Sequence, residues 1–186
     1  MREENRALRQ AQIEDAAYEL LEQKGYAGTS MQGIARKSRA SNQTLYSWYG
    51  DKRGLFTALV TRNAAEVRTL LETELSSGGD AIATLGLLAP KLLELLLSNR
   101  AIALNRAAAA DPSGELGAAI SEAGREAVLP LLEQVLGRAK KDGRLVFDQP
   151  QEAAGLFLNL LVGDLQIRRV IGRVPAPDQE FCLTRS

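Results

Sequence analysis

Apolar residues recur at helical spacing along almost the whole chain. Leu8, Ile13, Ala16, Ala17, Leu20 and Leu21 form the first stripe, which predicts a helix from about Glu4 to Lys24 closed by Gly25. Thr29 and Gln32 then have capping-box spacing, so a second helix is expected to start near Ser30, bury Ile34 and Ala35, and end by about Lys37. Ser41 stands where a third, short helix from Asn42 to about Trp48 needs an N-cap, with Leu45 and Tyr49 facing inward. Gly50-Asp51 breaks that helix and caps the next. From Leu55 the stripe Leu55, Phe56, Leu59, Val60, Ala64, Val67, Leu70, Leu71, Leu75 runs without Gly or Pro to Ser76, predicting one long helix from Lys52.

The second half keeps the same period. Ser76-Ser77-Gly78-Gly79 reads as a loop and Asp80 as the cap of a helix that reaches Ser98 with a kink at Pro90. An Ala-rich helix is expected over about Arg100 to Ala110. Asp111-Pro112-Ser113-Gly114 separates it from a long one that carries Leu116, Ile120, Ala123, Ala127, Leu131 and Val135 to Asp142-Gly143, with Pro130 a second point for a bend. Asp148-x-Pro150 supplies a cap and a first-turn proline for a helix from about Gln149 to Val170. Between Ala153 and Leu165 apolar residues surround its axis, so it needs cover on two sides. Leu158, Val162 and Leu165 are expected to meet a second copy of the chain, with Gly155 and Gly163 allowing close approach. Alternation with period two is absent apart from a short stretch at 144–147. The expected fold is therefore all-α, with an N-terminal three-helix domain over residues 1–50 joined by a long helix to a helical domain over 51–186.

Two short helices joined by a three- or four-residue turn must cross steeply, which is helix-turn-helix geometry. Asn42, Gln43 and Thr44 occupy the first turn of the second of these, the part that enters a major groove, and Asn and Gln amides can pair with adenine edges. Tyr46, Trp48 and Lys52 are suited to phosphates, which fix register without reading sequence, and the start of the long helix adds backbone N–H groups. The candidate DNA-binding set is Thr29, Gln32, Arg39, Ser41, Asn42, Gln43, Thr44, Tyr46, Trp48 and Lys52. Charge agrees. The chain has a formal net charge of +0, yet residues 36–53 hold five basic side chains against Asp51 alone. Arg2, Arg6 and Arg9 either approach the DNA backbone or are simply solvated.

The run Ile34-Ala35, Ser41, Thr44-Leu45-Tyr46, the aromatic pair at 48 and 49, Asp51-Lys52 and Leu55-Phe56 closely resembles the signature of TetR/AcrR-type transcriptional regulators. The likeness extends more loosely through Gly143-Arg144-Leu145, Asp148, Ala153-Ala154, Phe157 and Gly163. Two positions depart from the family pattern. Gln43 stands where a small residue is frequent, and Arg39 where the turn usually has glycine. A left-handed Arg39 would cost roughly 1–2 kcal/mol; either a phosphate contact by its side chain compensates or the substitution is tolerated. The family's last helix is expected to be shortened, because Pro175-Ala176-Pro177 leaves only residues 178–186. The resemblance implies a homodimeric, ligand-responsive repressor on a palindromic double-stranded operator.

The effector expected from the Leu- and Ala-rich middle helices is small and apolar or amphipathic. Asn105, Arg106 and Asn159 would orient it, or else serve as ordinary helix-surface hydrogen-bonding groups. Other classes are disfavoured. The chain has no histidine, so no His-based triad or His-containing metal site can form, and with Cys182 its only cysteine it can close no internal disulfide. Neither catalysis, a metal nor a cofactor is expected. No apolar run approaches a membrane span and the polar start lacks a signal core, from which a cytoplasmic protein with no membrane partner is expected. The runner-up function is an architectural DNA-binding protein without small-molecule control.

Overall fold

A computed structural model describes residues 2–185, with the side chains of Arg2 and Glu3 outside the described set. Every regular element among the described residues is a helix, with no strand among them. They form two compact units. The first runs up to Val60 and takes in Ala103–Ile120; the second comprises Thr61–Ile102 and the chain from Ser121 onward.

The first unit is built on α1 (Arg2–Gly28), which kinks at Gly25 where φ is 68°. Helices α2 (Met31–Ser38) and α3 (Asn42–Tyr49) follow, then the start of α4 (Lys52–Ser77), which continues into the second unit. Ile13, Ala16, Ala17, Leu20, Leu21, Ile34, Ala35, Leu45, Leu55, Phe56 and Leu59 are all buried, the side that the sequence periodicity selects, except that Leu8 of the first stripe is exposed. Tyr18 donates its hydroxyl to the Leu59 carbonyl at 3.2 Å, and Tyr26 meets Phe56 edge to face at 5.7 Å.

In the second unit α5 (Ala81–Leu97) begins at an Asp80 cap, whose carboxylate accepts from Ala83 N at 2.8 Å, and keeps Pro90 inside the helix. α6 (Asn99–Ala109) leads into the first unit, where Asp111 accepts from Leu116 N at 2.9 Å and starts α7 (Glu115–Ile120). The long helix expected from Leu116 to Asp142 is interrupted. A π-helical turn at Ser121–Arg125 separates α7 from α8 (Glu126–Lys141). The break lies ahead of Pro130, not at it, and contains Gly124, the weakest helix former after proline.

The last helices also differ from the single one expected over Gln149 to Val170. α9 (Pro150–Val162) starts with Pro150 in its first turn, but its N-cap is Gln149, not Asp148, and no side chain bonds there. Gly163, at φ 53°, ends it, and α10 (Leu165–Val170) follows. Beyond the Pro175–Pro177 stretch a last helix does form: α11 (Gln179–Arg185), started by Asp178, which accepts from Phe181 N at 2.8 Å. Its Cys182 is buried in the core with Leu88, Leu92, Leu93, Leu97, Leu136 and Leu161, so that thiol is a packing group. Burial pushes its pKa up.

Candidate nucleic-acid interface

Helix α2 is capped one residue later than the capping-box spacing suggests. Ser30, in extended conformation, accepts from Gly33 N at 3.1 Å. Thr29 is buried, and its hydroxyl donates to the Gly25 carbonyl at 2.8 Å, satisfying an acceptor exposed by the kink of α1. That correction removes the Thr29 side chain from the surface, where its place in the candidate DNA-binding set required it.

The end of α2 is a Schellman motif. Ala40 N donates to the Ala35 carbonyl at 2.9 Å and Arg39 N to that of Arg36 at 3.4 Å, which requires a left-handed residue at position 39. Arg39 has φ 56° and is the one described non-glycine residue with positive φ. The turn delivers Ser41 in extended conformation at the start of α3, where its hydroxyl oxygen accepts from Thr44 N at 3.0 Å and lies 2.8 Å from the Thr44 hydroxyl.

Leu45 is the anchor of α3, fully buried at 0% exposure, with Trp48 and Tyr49 half-buried behind it at a centroid separation of 6.4 Å. Its other side is open: Ser41, Asn42, Gln43, Tyr46 and Ser47 are exposed and Thr44 is half-buried. Gln32, Arg36, Lys37 and Arg39 are exposed on α2 and the turn, so the two helices carry amide, hydroxyl and cationic groups together. Lys37 pairs with Glu19 and Arg53 with Glu115 at 3.2 Å.

Lys52 is held inward. Its ammonium donates to the Tyr26 carbonyl at 2.7 Å and lies 4.0 Å from the centre of the Tyr26 ring. Desolvation lowers its pKa, while burial, followed by the carboxylates of Asp51 and Asp111, raises that of the Tyr26 phenol. An ammonium has three donors, so the bond to Tyr26 leaves capacity for a phosphate at the start of α4.

Two groups escaped the sequence reading. Gly54 sits in the first turn of α4 so close to the end of α3 that a Cβ there would lie 1.9 Å from the Tyr49 carbonyl oxygen. The only signal in the sequence is a glycine inside an otherwise strong helix. Arg9, whose expected place was a solvated or DNA-facing arm, donates from Nη1 to the carbonyls of Ser38 and Arg39 at 3.3 and 3.4 Å, and Arg6 lies 5.4 Å from the Trp48 ring. The Arg2 side chain falls outside the described residues.

Asn105 and Arg106 lie on α6 within the first unit, whereas Asn159 is exposed on α9 in the second. Leu158, Val162 and Leu165 are half-buried against the core of their own unit. The open apolar side of α9 and α10 is instead carried by Leu156, Leu160, Ile167 and Ile171, with Leu160 71% exposed. Among the described residues no single helix is long and apolar enough to cross a membrane, and no group of acidic and cysteine side chains could hold a metal ion.

Residues 13–59 match the bacterial regulatory proteins of the tetR family, and residues 83–182 match the C-terminal domain of AefR-like transcriptional repressors. The uncharacterized HTH-type transcriptional regulator YvkB of Bacillus subtilis is 37% identical over 60 residues, which is 32% of each protein; the match thus spans about a third of that relative. A protein from Mesorhizobium loti assigned to the TetR-family regulators superposes with a TM-score of 0.75 at 26% identity, covering 96% of this chain and 91% of that one. The flavonoid-responsive regulator FrrA gives a TM-score of 0.66 at 27% identity over 96% and 93% of the two chains. With matches in both halves and a capped, polar α3 set on a Schellman turn, the chain belongs to the TetR family of transcriptional regulators, DNA-binding proteins of the repressor type.

Proposed function

We propose that the protein is a homodimeric repressor that binds a palindromic operator and releases it when a small effector binds. The observation that carries the reading is α3: Ser41 caps it, Leu45 fixes its inner side, and Asn42 and Gln43 stand exposed in its first turn. Asn42, Gln43 and Thr44 read base edges, while Gln32, Arg39, Tyr46, Trp48 and Lys52 hold the backbone. A second copy docks on the open side of α9 and α10, and two-fold symmetry then sets two α3 helices on successive major grooves. A largely apolar effector is supported by the Leu-rich second unit and by the flavonoid response of the neighbour FrrA. It lowers operator affinity by its preference for the DNA-free form.

The test is enrichment of duplexes from a random-sequence pool with the wild-type protein. The expected product is an inverted repeat, and Gln43→Ala should cost ~1–3 kcal/mol and relax preference at one position per half-site. Enrichment of no sequence, with binding to random DNA intact, would favour the architectural alternative. Unchanged affinity and preference in the Gln43 variant would remove α3 from the role of reader.

A further inference from the structure

We propose that Arg9 of the first helix is a positioning residue for DNA recognition: its guanidinium locks the left-handed turn at Arg39 and so fixes where α3 stands. The inference rests on α3 being the DNA reader. The left-handed position at the end of a helix normally takes glycine, because a Cβ there crowds the following carbonyl. Here it takes Arg39, at φ 56°. The Schellman bonds use the carbonyls of Ala35 and Arg36, and the Ser38 hydroxyl donates to that of Ile34 at 2.8 Å. Of the carbonyls beyond those, Ser38 at the negative end of α2 and Arg39 in the turn accept from Arg9 Nη1, which also meets Gln12 Oε1 at 3.1 Å. A cation bonded to carbonyls at a helix C-terminus is favoured by charge as well as by hydrogen bonding. Gln12 orients the group, and Arg6 over the Trp48 ring makes a second link from α1 to α3. Arg9 thus supplies from outside the turn the stability that a glycine would have supplied within it.

Coupling follows from this. Arg9 should matter because residue 39 is not glycine, so its removal should cost less in an Arg39→Gly background. The wild type, Arg9→Ala, Arg39→Gly and the double variant would be compared on the duplex enriched by the wild type, well below their melting temperatures. Arg9→Ala is expected to weaken binding about tenfold, the ratio that the strain of one left-handed residue represents, with the slope of log affinity against log salt unchanged. In the Arg39→Gly background the same change should cost less than about twofold, whatever Arg39→Gly costs alone. A slope lowered by ~0.9 would make Arg9 a direct phosphate ligand and overturn the proposal, as would equal costs in both backgrounds or an Arg9→Ala protein with wild-type affinity. Should Arg9→Ala not fold, Arg9→Lys, which keeps the charge and loses the planar fork, takes its place in the same cycle. Melting temperatures of the four proteins without DNA are expected to show the same non-additivity. If the wild type enriches no duplex, the DNA-reading function fails, and the melting cycle alone then decides the clamp.

Discussion

Replacing Gly54 by alanine sets two effects of known size against each other. In a helix interior Gly→Ala ordinarily stabilises by about 1 kcal/mol, because glycine loses more backbone freedom on folding. At Gly54 the added Cβ would lie 1.9 Å from the Tyr49 carbonyl oxygen and 3.1 Å from its carbon. Ordinary contact begins near 3.4 Å, so the end of α3 and the first turn of α4 must separate by ~1.5 Å, and the obstacle is backbone that has no rotamer to change. Overpacking of a well-packed core costs about 1–3 kcal/mol, and a backbone obstacle belongs at the upper end of that range. The clash should win, leaving Gly54→Ala less stable by ~1–2 kcal/mol. Gly86 is the control: it is exposed in α5 with nothing within 4 Å of its would-be Cβ, and Gly86→Ala should stabilise by ~0.5–1 kcal/mol. Urea unfolding of the two variants beside the wild type measures both signs. Because the displaced element is α3, Gly54→Ala should also bind the selected duplex more weakly while Gly86→Ala binds it as the wild type does. Two variants shifted in the same direction would show that the approach of α4 to Tyr49 does not constrain the helix-turn-helix.

Ser41→Ala removes the acceptor for Thr44 N and should cost about 1 kcal/mol in unfolding free energy, with a further loss of DNA affinity if an eight-residue α3 frays; unchanged melting would show that the cap is redundant. Leu160→Glu charges the open side of α9 without touching its own core, so sedimentation should show the dimer weakened roughly a hundredfold or more, the residue being used twice across a two-fold axis; a wild-type dimer constant would move the interface elsewhere. Asp111 accepts from Leu116 N and from the Ser113 hydroxyl and N–H, which hold its carboxyl below the usual range. Its folded pKa being depressed, its contribution is complete above the unfolded value and is lost as pH falls through the folded one, so Asp111→Asn should flatten acid unfolding below about pH 4. An acid transition identical to wild type would mean that other carboxylates control it.

The sequence by itself determined the helical fold and the place of α3. A 3.6-residue apolar period can be satisfied in only one way per helix, and caps such as Ser41 and Asp80 act on backbone N–H groups three residues away, so both signals are local. The first misreadings are correspondingly small: the cap of α2 moves from Thr29 to Ser30 because the Gly25 carbonyl, set by the kink of α1, takes the Thr29 hydroxyl. Other features depend on what lies opposite a residue in space. An arginine in a left-handed turn reads as a defect until Arg9, 30 positions earlier in the chain, is seen on its carbonyl. α9 is apolar all round, and only the packing of Ala154 and Leu161 into the core decides that Leu156 and Leu160 remain outside. Gly54 carries no pattern at all, since its role is the absence of an atom where the Tyr49 carbonyl already stands. Periodicity and capping are written within a few residues of one another, whereas clamps, clashes and the choice of a buried side arise between segments distant in the chain, which tertiary packing alone brings together.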